Sequence, residues 1–356
     1  MIYILLEESY SDNTRYHQLL GGITSVAKKK HLEICVYKNC EELDPECRVA
    51  ILICQSLKWS TDRICELNAR GIHPLVFGFQ YLDTMYRYSS IAPNYTKSAY
   101  KLTRYILSGN PGKTAVLGYN EDSLPDRLKY TGIKYAVEES QGEHSIFPNK
   151  GDVLACIRDF EIAAEGFENI VCCNDNIAIT IYNRFPHLLQ GRKICSCSGL
   201  KISEYFDKPY PVCRIDYYEA GVQLAMLYRF LTKESIIYST VMTLDMDFLD
   251  NGAEGETSLR NFPGSENIYS REEVDFYGDG SLRDMELLDR MLTNADDIDL
   301  RILSDIIAGK TYDGIADALY MATNTVKYRI KKMAETAGVA SRRELAARLL
   351  EYGVKL

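Results

Sequence analysis

Through the first 240 of 356 residues, short apolar runs alternate with longer stretches whose apolar positions recur every three or four residues. The runs at 2–6, 33–37, 49–53, 73–77, 114–119, 169–173, 193–197 and 212–215 predict strands. Segments 15–30, 60–70, 95–107, 124–139, 175–185 and 217–231 carry helical spacing. Such alternation predicts parallel sheets covered by helices on both faces, where strands are apolar throughout. Eight strands over this length fit two lobes better than one oversized sheet. The expected fold class is therefore α/β, with two doubly wound parallel sheets.

Residues 311–333 follow another rule. Ile315, Ala316, Leu319, Met321, Val326 and Ile330 stand where two short helices crossing steeply need apolar or small side chains. Ala316 matters because a bulkier residue would push the helices apart. Thr323 or Asn324 is expected to cap the second helix, its side-chain oxygen satisfying first-turn N–H groups. Beyond the cap, Lys327, Tyr328, Lys331 and Lys332 project away from a stripe of Val326, Ile330, Met333 and Ala337. A basic, tyrosine-bearing face suits a groove walled by phosphates, so double-stranded DNA is the expected partner.

Gly309-Lys-Thr311, Ile315-Ala316, Leu319, Thr325-Val-Lys327, Gly338-Val339 and Ser341-Arg-Arg-Glu-Leu345 make residues 298–353 resemble a LuxR-type helix-turn-helix. Gly314 stands where that family usually has Glu, and the family's Leu-Thr-Pro-Arg-Glu opening is missing. The resemblance implies Lys327, Tyr328 and Lys331 as base readers and Thr311, Thr325, Arg329 and Lys332 as phosphate contacts. Thr323, at the start of the reading helix, is a further DNA-binding candidate. One such reader covers a half-site, so a homodimer is expected, with Leu345, Leu349 and Tyr352 as candidate contacts.

Ligands of doubly wound sheets sit beyond the carboxyl ends of the strands. The loops there supply Tyr10, Trp59, Phe79 and Tyr81 as flat apolar surfaces and Asn120, Arg127, Asn174 and Asp175 as polar orienters. That mixture suits a small molecule of mixed polarity held in the cleft between the lobes. Residues 15–36, Ser108-Gly-Asn-Pro-Gly-Lys-Thr-Ala-Val-Leu-Gly118, Arg127-Leu-Lys-Tyr-Thr-Gly132, Cys173-Asn-Asp-Asn-Ile-Ala178 and Arg214-Ile-Asp-Tyr-Tyr-Glu-Ala-Gly221 resemble the periplasmic-binding-protein-like effector domain of LacI-type repressors. By that resemblance Arg127 and Asn174 contact the effector and Asp175 caps the next helix. Where the family has Gly-x-Asp-Asp, this chain reads Gly199-Leu-Lys-Ile, so a sugar is the default effector without its usual carboxylate.

Charge sharpens the division. Residues 241–297 hold 4 Lys/Arg against 15 Asp/Glu, whereas residues 298–356 hold 10 against 7, so the net-basic region is the suspected reader. Turn signals at 250–256, 262–265 and 277–281 mark a joint, followed by a helix opening with Ser281 and Asp284 in capping-box spacing. Its stripe of Leu282, Met285, Leu288, Met291 and Leu292 fits a dimer seam, docking on the reader, or packing within the chain. The expected organisation is a two-lobed sensor at 1–245, an acidic linker at 246–281, a connecting helix at 282–297 and a reader at 298–356.

The eleven cysteines lack a Cys-x-x-Cys pair, and even Cys172-Cys173 and Cys195-x-Cys197 read as buried thiols rather than metal ligands. Reduced thiols in this number, with neither a signal-peptide pattern nor a membrane-length apolar run, place the protein in the cytoplasm. Gly109-Asn-Pro-Gly-Lys-Thr114 is no phosphate loop, because it runs helix, loop, strand rather than strand, loop, helix. A receiver domain needs an Asp after the third strand, where Ile53-Cys54-Gln55 stands. The histidines form no His-x-x-x-His pair, and no nucleophile turn is present. A regulator without catalysis, cofactor or metal is the expectation; a receiver-like or enzymatic α/β domain joined to the same reader is the alternative.

Overall fold

The computed structural model describes residues 1–8, 14–54, 56–78, 85–109, 111–121, 123–206, 210–233, 239–249 and 280–356. Elements run in chain order as β1 (Ile2–Leu6), α1 (Thr14–Lys29), β2 (Ile34–Tyr37), β3 (Val49–Ile53), α2 (Leu57–Ala69), β4 (His73–Phe77), β5 (Ser89–Pro93), α3 (Tyr95–Leu107), β6 (Lys113–Tyr119) and α4 (Leu124–Glu139). There follow β7 (His144–Pro148), α5 (Val153–Ala163), β8 (Phe167–Cys172), α6 (Asp175–Arg184), β9 (Lys193–Ser196), β10 (Val212–Arg214), α7 (Tyr217–Lys233), β11 (Val241–Leu244) and β12 (Asp247–Leu249). The chain closes with α8 (Gly280–Asn294), α9 (Asp297–Ile307), α10 (Tyr312–Ala318), α11 (Thr323–Thr336) and α12 (Arg342–Glu351).

Two six-stranded sheets form, ordered β11-β5-β4-β3-β1-β2 and β12-β10-β9-β8-β6-β7. Each is the same doubly wound pattern, and pairing is parallel from β2 across to β11 and from β7 across to β10. Register in the first sheet sets Ile4 beside Val36 and Ile51; in the second, Val116 lies beside Ile146 and Val171. β1 and β3 are buried at every position, as strands covered on both faces require. The two-sheet expectation holds, and all eight expected strands and six expected helices are present. The sequence reading lacked β5, β7, β11, β12 and α5.

By contacts the chain divides into two units, one of Met1–Asn94 with Ile215–Asp247 and one of Tyr95–Arg214 with the C-terminal helices. The chain passes between units after Asn94, after Arg214 and after Asp247. In the first unit, α1 and α7 cross at Gly22 and Gly221: a Cβ on Gly221 would lie 2.0 Å from the Leu19 carbonyl oxygen, and one on Gly22 would lie 2.0 Å from that of Tyr218. In the second unit α3 and α4 meet the same way, with Gly132 against the Thr96 carbonyl at 2.1 Å. The Arg127–Gly132 and Arg214–Gly221 segments thus each end on a glycine that permits backbone-to-backbone packing.

The C-terminal helices pack on the second sheet's helical layer and share its core. Met285, Leu288, Met291 and Leu292 of α8 are buried there, which settles the open reading of that stripe in favour of packing within the chain. Leu345, Leu349 and Tyr352 are likewise buried inside this core, at 0%, 0% and 8% exposure, and so are not available as dimer contacts. The side chain of Ser281, where a capping box was expected, lies outside the described residues; α8 runs from Gly280, and Asp284 pairs with Arg348 at 2.7 Å. The linker at 250–279 and the side chain of Leu282 lie outside the described residues. No helix among the described residues is long and apolar enough to cross a membrane.

Candidate functional site

One face of α11 is left to solvent by the way the C-terminal helices stack. Thr311 caps α10, its Oγ1 accepting the Gly314 N–H at 3.1 Å. Tyr320 then turns the chain in the left-handed region (φ 53°) with its ring 97% exposed. The expected Thr323 or Asn324 cap on α11 is not formed. Ala322 occupies the cap position, while Thr323 lies in the first turn and donates its hydroxyl to Asp313 Oδ1 at 2.9 Å, stitching α10 to α11. Val326, Ile330, Met333 and Ala337 are buried as expected, with Ala316 at the crossing. Thr325, Lys327, Tyr328, Lys331 and Lys332 are exposed together. Lys331 reaches Glu335 one turn on at 3.7 Å, a solvent-screened pair that leaves the side chain free to move.

Arg329 leaves this set. Its Nη1 lies 2.9 Å from Asp296 and 2.8 Å from Asp299, the two carboxylates that form the capping box of α9. Hydrogen bonds to Asp299 and Asp296 hold its pKa above the usual arginine value, and the Asp299 backbone N–H and Arg329 hold the Asp296 carboxyl low. Arg329 therefore braces α11 against the start of α9 instead of extending with Lys332. The Tyr312 ring gathers two cations, Lys327 Nζ at 5.7 Å and the Arg342 guanidinium at 4.8 Å, and Arg342 also donates to the Lys310 carbonyl at 2.6 Å. Sequence reasoning passed over Tyr312 and Arg342. The available signal was an aromatic directly after the Thr311 cap and a basic pair directly after the Ser341 cap.

A second polar cluster lies at the carboxyl end of the second sheet. β6 and β8 are neighbours, so Asn120 and Asn174, which follow them, emerge side by side. Gly118 makes this possible: its φ is 81°, and a Cβ there would sit 1.9 Å from Ile177 Cδ1 at the start of α6. Ser123 caps α4 and so sets Arg127 in its first turns, where the side chain is buried. Next to it Lys129, itself buried, donates to Asp126 Oδ1 at 3.0 Å and to the Cys173 carbonyl at 2.9 Å. Burial opposes the Lys129 charge most strongly, but Asp126 together with Cys173 and Cys197 outweighs it, and the pKa stays above the usual lysine value. That pair clamps α4 onto the turn presenting Asn174, whose Oδ1 is buried with no hydrogen-bond partner in the protein. An orphaned buried acceptor is costly unless a ligand or water fills it. Nothing in the local pattern of Asp126-Arg-Leu-Lys129 marked this pair as interior.

Asp175 does not cap α6 as expected. Asn174 stands at the cap position without a side-chain bond, while Asp175 is fully buried and its Oδ2 accepts the Leu200 N–H at 2.7 Å. Burial pushes its carboxyl up to about 6, moderated by Ser196, the Leu200 amide and Ser203. Lys201, standing where the resembled family has a carboxylate, pairs with Glu204, which also holds Arg214. In the first unit, Trp59 sits in the first turn of α2 with its N–H bonded to the Ser56 cap, and Arg63 lies over its ring at 5.9 Å. Tyr10, Phe79 and Tyr81 lie outside the described residues. All eleven cysteines are unpaired thiols, and burial pushes Cys172, Cys173 and Cys195 well above the ordinary range, so they stay protonated.

No family model and no curated protein matches this sequence. Its architecture nevertheless recurs in solved structures. A LacI family transcriptional regulator from Enterococcus faecium with bound ribose superposes with a TM-score of 0.54 at 17% identity, over 70% of this chain and 97% of that one. GanP, a glucose-galactose binding protein from Geobacillus stearothermophilus, gives 0.56 at 10% identity over 70% and 97%. The transcription regulator CcpA of Lactococcus lactis gives 0.53 at 15% identity over 70% and 98%. The chain has the two-lobed α/β fold of these proteins, periplasmic-binding-protein-like, with a helical C-terminal region added to it.

Proposed function

We propose that this protein is a cytoplasmic, ligand-responsive transcription regulator without enzymatic activity. A small molecule, with a sugar as first choice, occupies the polar site at the carboxyl ends of the strands, and occupancy modulates a C-terminal LuxR-type helix-turn-helix reader. The observation that carries this reading is the exposed face of Thr325, Lys327, Tyr328, Lys331 and Lys332 on a helix braced through Arg329 and Thr323. Preformed, outward-pointing cations on a rigid helix are what a DNA groove requires. The orphaned Asn174 acceptor, on the turn that Lys129 ties to α4, supports the ligand half, as does the fold's recurrence in proteins described with ribose and with glucose and galactose. Ligand alters DNA affinity through its difference in affinity for two states, typically about 1–3 kcal/mol of coupling. A homodimer supplies the second half-site.

The test begins with selection of duplexes from a random pool by the full-length chain at low ionic strength. Enrichment of a two-half-site sequence is expected. On that duplex Lys327→Ala or Lys331→Ala costs about 1–3 kcal/mol and relaxes base choice, whereas Lys332→Ala weakens all duplexes alike and lowers the salt slope by about 1. Retention of no duplex at low salt ends the proposal.

A further inference from the structure

We propose that Asp175 and Asp289 hold the two ends of a short relay joining the polar site of the second sheet to the helices that carry the reading surface. This rests on the function proposed above and adds the route by which it would be regulated. Asn174 and Asp175 are consecutive at the start of α6. The first presents an orphaned acceptor, and the second turns inward to the Leu200 N–H at 2.7 Å. Two residues on, the N–H of fully buried Ile202 donates to Asp289 Oδ1 of α8 at 3.0 Å. A three-residue stretch is thus pinned by one carboxylate from the α/β layer and one from the C-terminal helices.

The connection continues in both directions. The Tyr205 carbonyl accepts the Lys355 N–H at 2.7 Å, and Phe206 bridges Val354 as a short antiparallel pair. Asn183 Nδ2 at the end of α6 donates to the Glu351 carbonyl at 3.0 Å, and Arg184 pairs with Glu351 at 3.3 Å. On its other side, α8 places Leu287 over Gly338, where a Cβ would come within 2.7 Å, and pairs Asp284 with Arg348 at 2.7 Å. Gly338 directly follows the cap of α11. Part-buried hydrogen bonds to carboxylates are expensive to break, so a shift of the Asn174–Asp175 turn moves Leu200–Ile202, and with it α8, more cheaply than it severs either bond. The reading face of α11 is exposed and takes no part in these contacts. Regulation within this unit therefore works by repositioning the helix rather than by covering it.

The experiment is amide hydrogen exchange on the full-length chain without ligand or DNA, comparing Asp175→Asn, Asp289→Asn and the double variant with wild type. A relay requires each substitution to reach the far end. Asp289→Asn speeds exchange at Leu200, Asp175→Asn speeds it at Ile202 and Lys355, each by about tenfold, and the double variant adds less than the product. Effects confined to the substituted residue's own partner, multiplying independently in the double variant, overturn the relay. Amides of β1 and β3 report any global loss of structure, and Asp289→Glu, which keeps the charge but displaces the acceptor, supplies the same comparison if the Asn variant does not fold. Failure of wild type to bind any duplex would remove the function proposed above and leave this exchange result standing on its own.

Discussion

Replacing one helical glycine by alanine should destabilise the first unit, while the same replacement in α10 should stabilise the C-terminal helices. At Gly221 the new Cβ would stand 2.0 Å from the Leu19 carbonyl oxygen and 2.9 Å from its carbon. Both neighbours are backbone, so no rotamer change relieves the clash. Restoring ordinary contact means separating α1 and α7 by about 1.2 Å, enough to forfeit a quarter to a half of the dispersion energy across their contact. The side chains that lose it are Leu19, Ile23, Leu224 and Tyr228, all buried. Overpacking costs about 1–3 kcal/mol, and the rigid neighbours put this site at the upper end. Helix propensity returns about 1 kcal/mol, leaving a net loss of about 2 kcal/mol. At Gly314 the nearest atom is the Thr311 hydroxyl at 3.2 Å, so Gly314→Ala keeps most of the propensity gain. Urea titration reads the first unit through the lone Trp59, where Gly221→Ala should lower the midpoint by about 1 M. Far-UV circular dichroism reads the second variant. A midpoint for Gly221→Ala at or above wild type would show that the helices do not cross at backbone contact.

Asp175 makes stability depend on pH with a defined sign. Its carboxyl titrates near 6 in the folded chain against 3.8 for the free group, so the fold binds the proton more tightly. Stability is lost as pH rises from about 4 to 6, by about 3 kcal/mol relative to Asp175→Asn. A difference between the two proteins that stays flat over that range contradicts the burial of this carboxylate. Arg329→Ala should cost the C-terminal helices about 1 kcal/mol, with the loss shrinking in 1 M salt because Asp296 is half exposed. Melting curves that show the same loss at both salt concentrations would indicate packing rather than charge as its source.

Much of the architecture was legible because buried parallel strands announce themselves. β1, β3, β6 and β8 are near-continuous apolar runs, and each was located to within two residues. The unread strands lack that signature. β5 is Ser89-Ser-Ile-Ala-Pro93, whose two serines are buried; the Ser89 hydroxyl is supported from elsewhere, by His73 Nε2 at 2.9 Å and the Thr240 N–H at 3.1 Å. β7, β11 and β12 are edge strands with half-buried or exposed positions, and β11 and β12 gain their identity from distant partners. α5 was readable: Asp152 caps it, and Val153, Cys156, Ile157 and Phe160 fall on one face. At the site, residue types were legible and partners were not. The family resemblances implied Arg329 as a phosphate contact and Asp175 as a cap. The competing attractions, two carboxylates on α9 and an amide 25 residues downstream, appear only in three dimensions.

The three passages between units among the described residues bear on how this protein is made. As the polypeptide leaves the ribosome, Leu19 and Ile23 of α1 emerge some two hundred residues before the α7 surface that covers them, and β5 waits in its turn for β11. The first unit therefore cannot close when its own first 94 residues are out; it must await the synthesis of Tyr95–Arg214 of its neighbour. A nascent chain halted short of β11 leaves an open sheet edge at Ser90–Pro93, and one halted short of α7 leaves an uncovered apolar helix as well, the kind of exposed surface that chaperones engage.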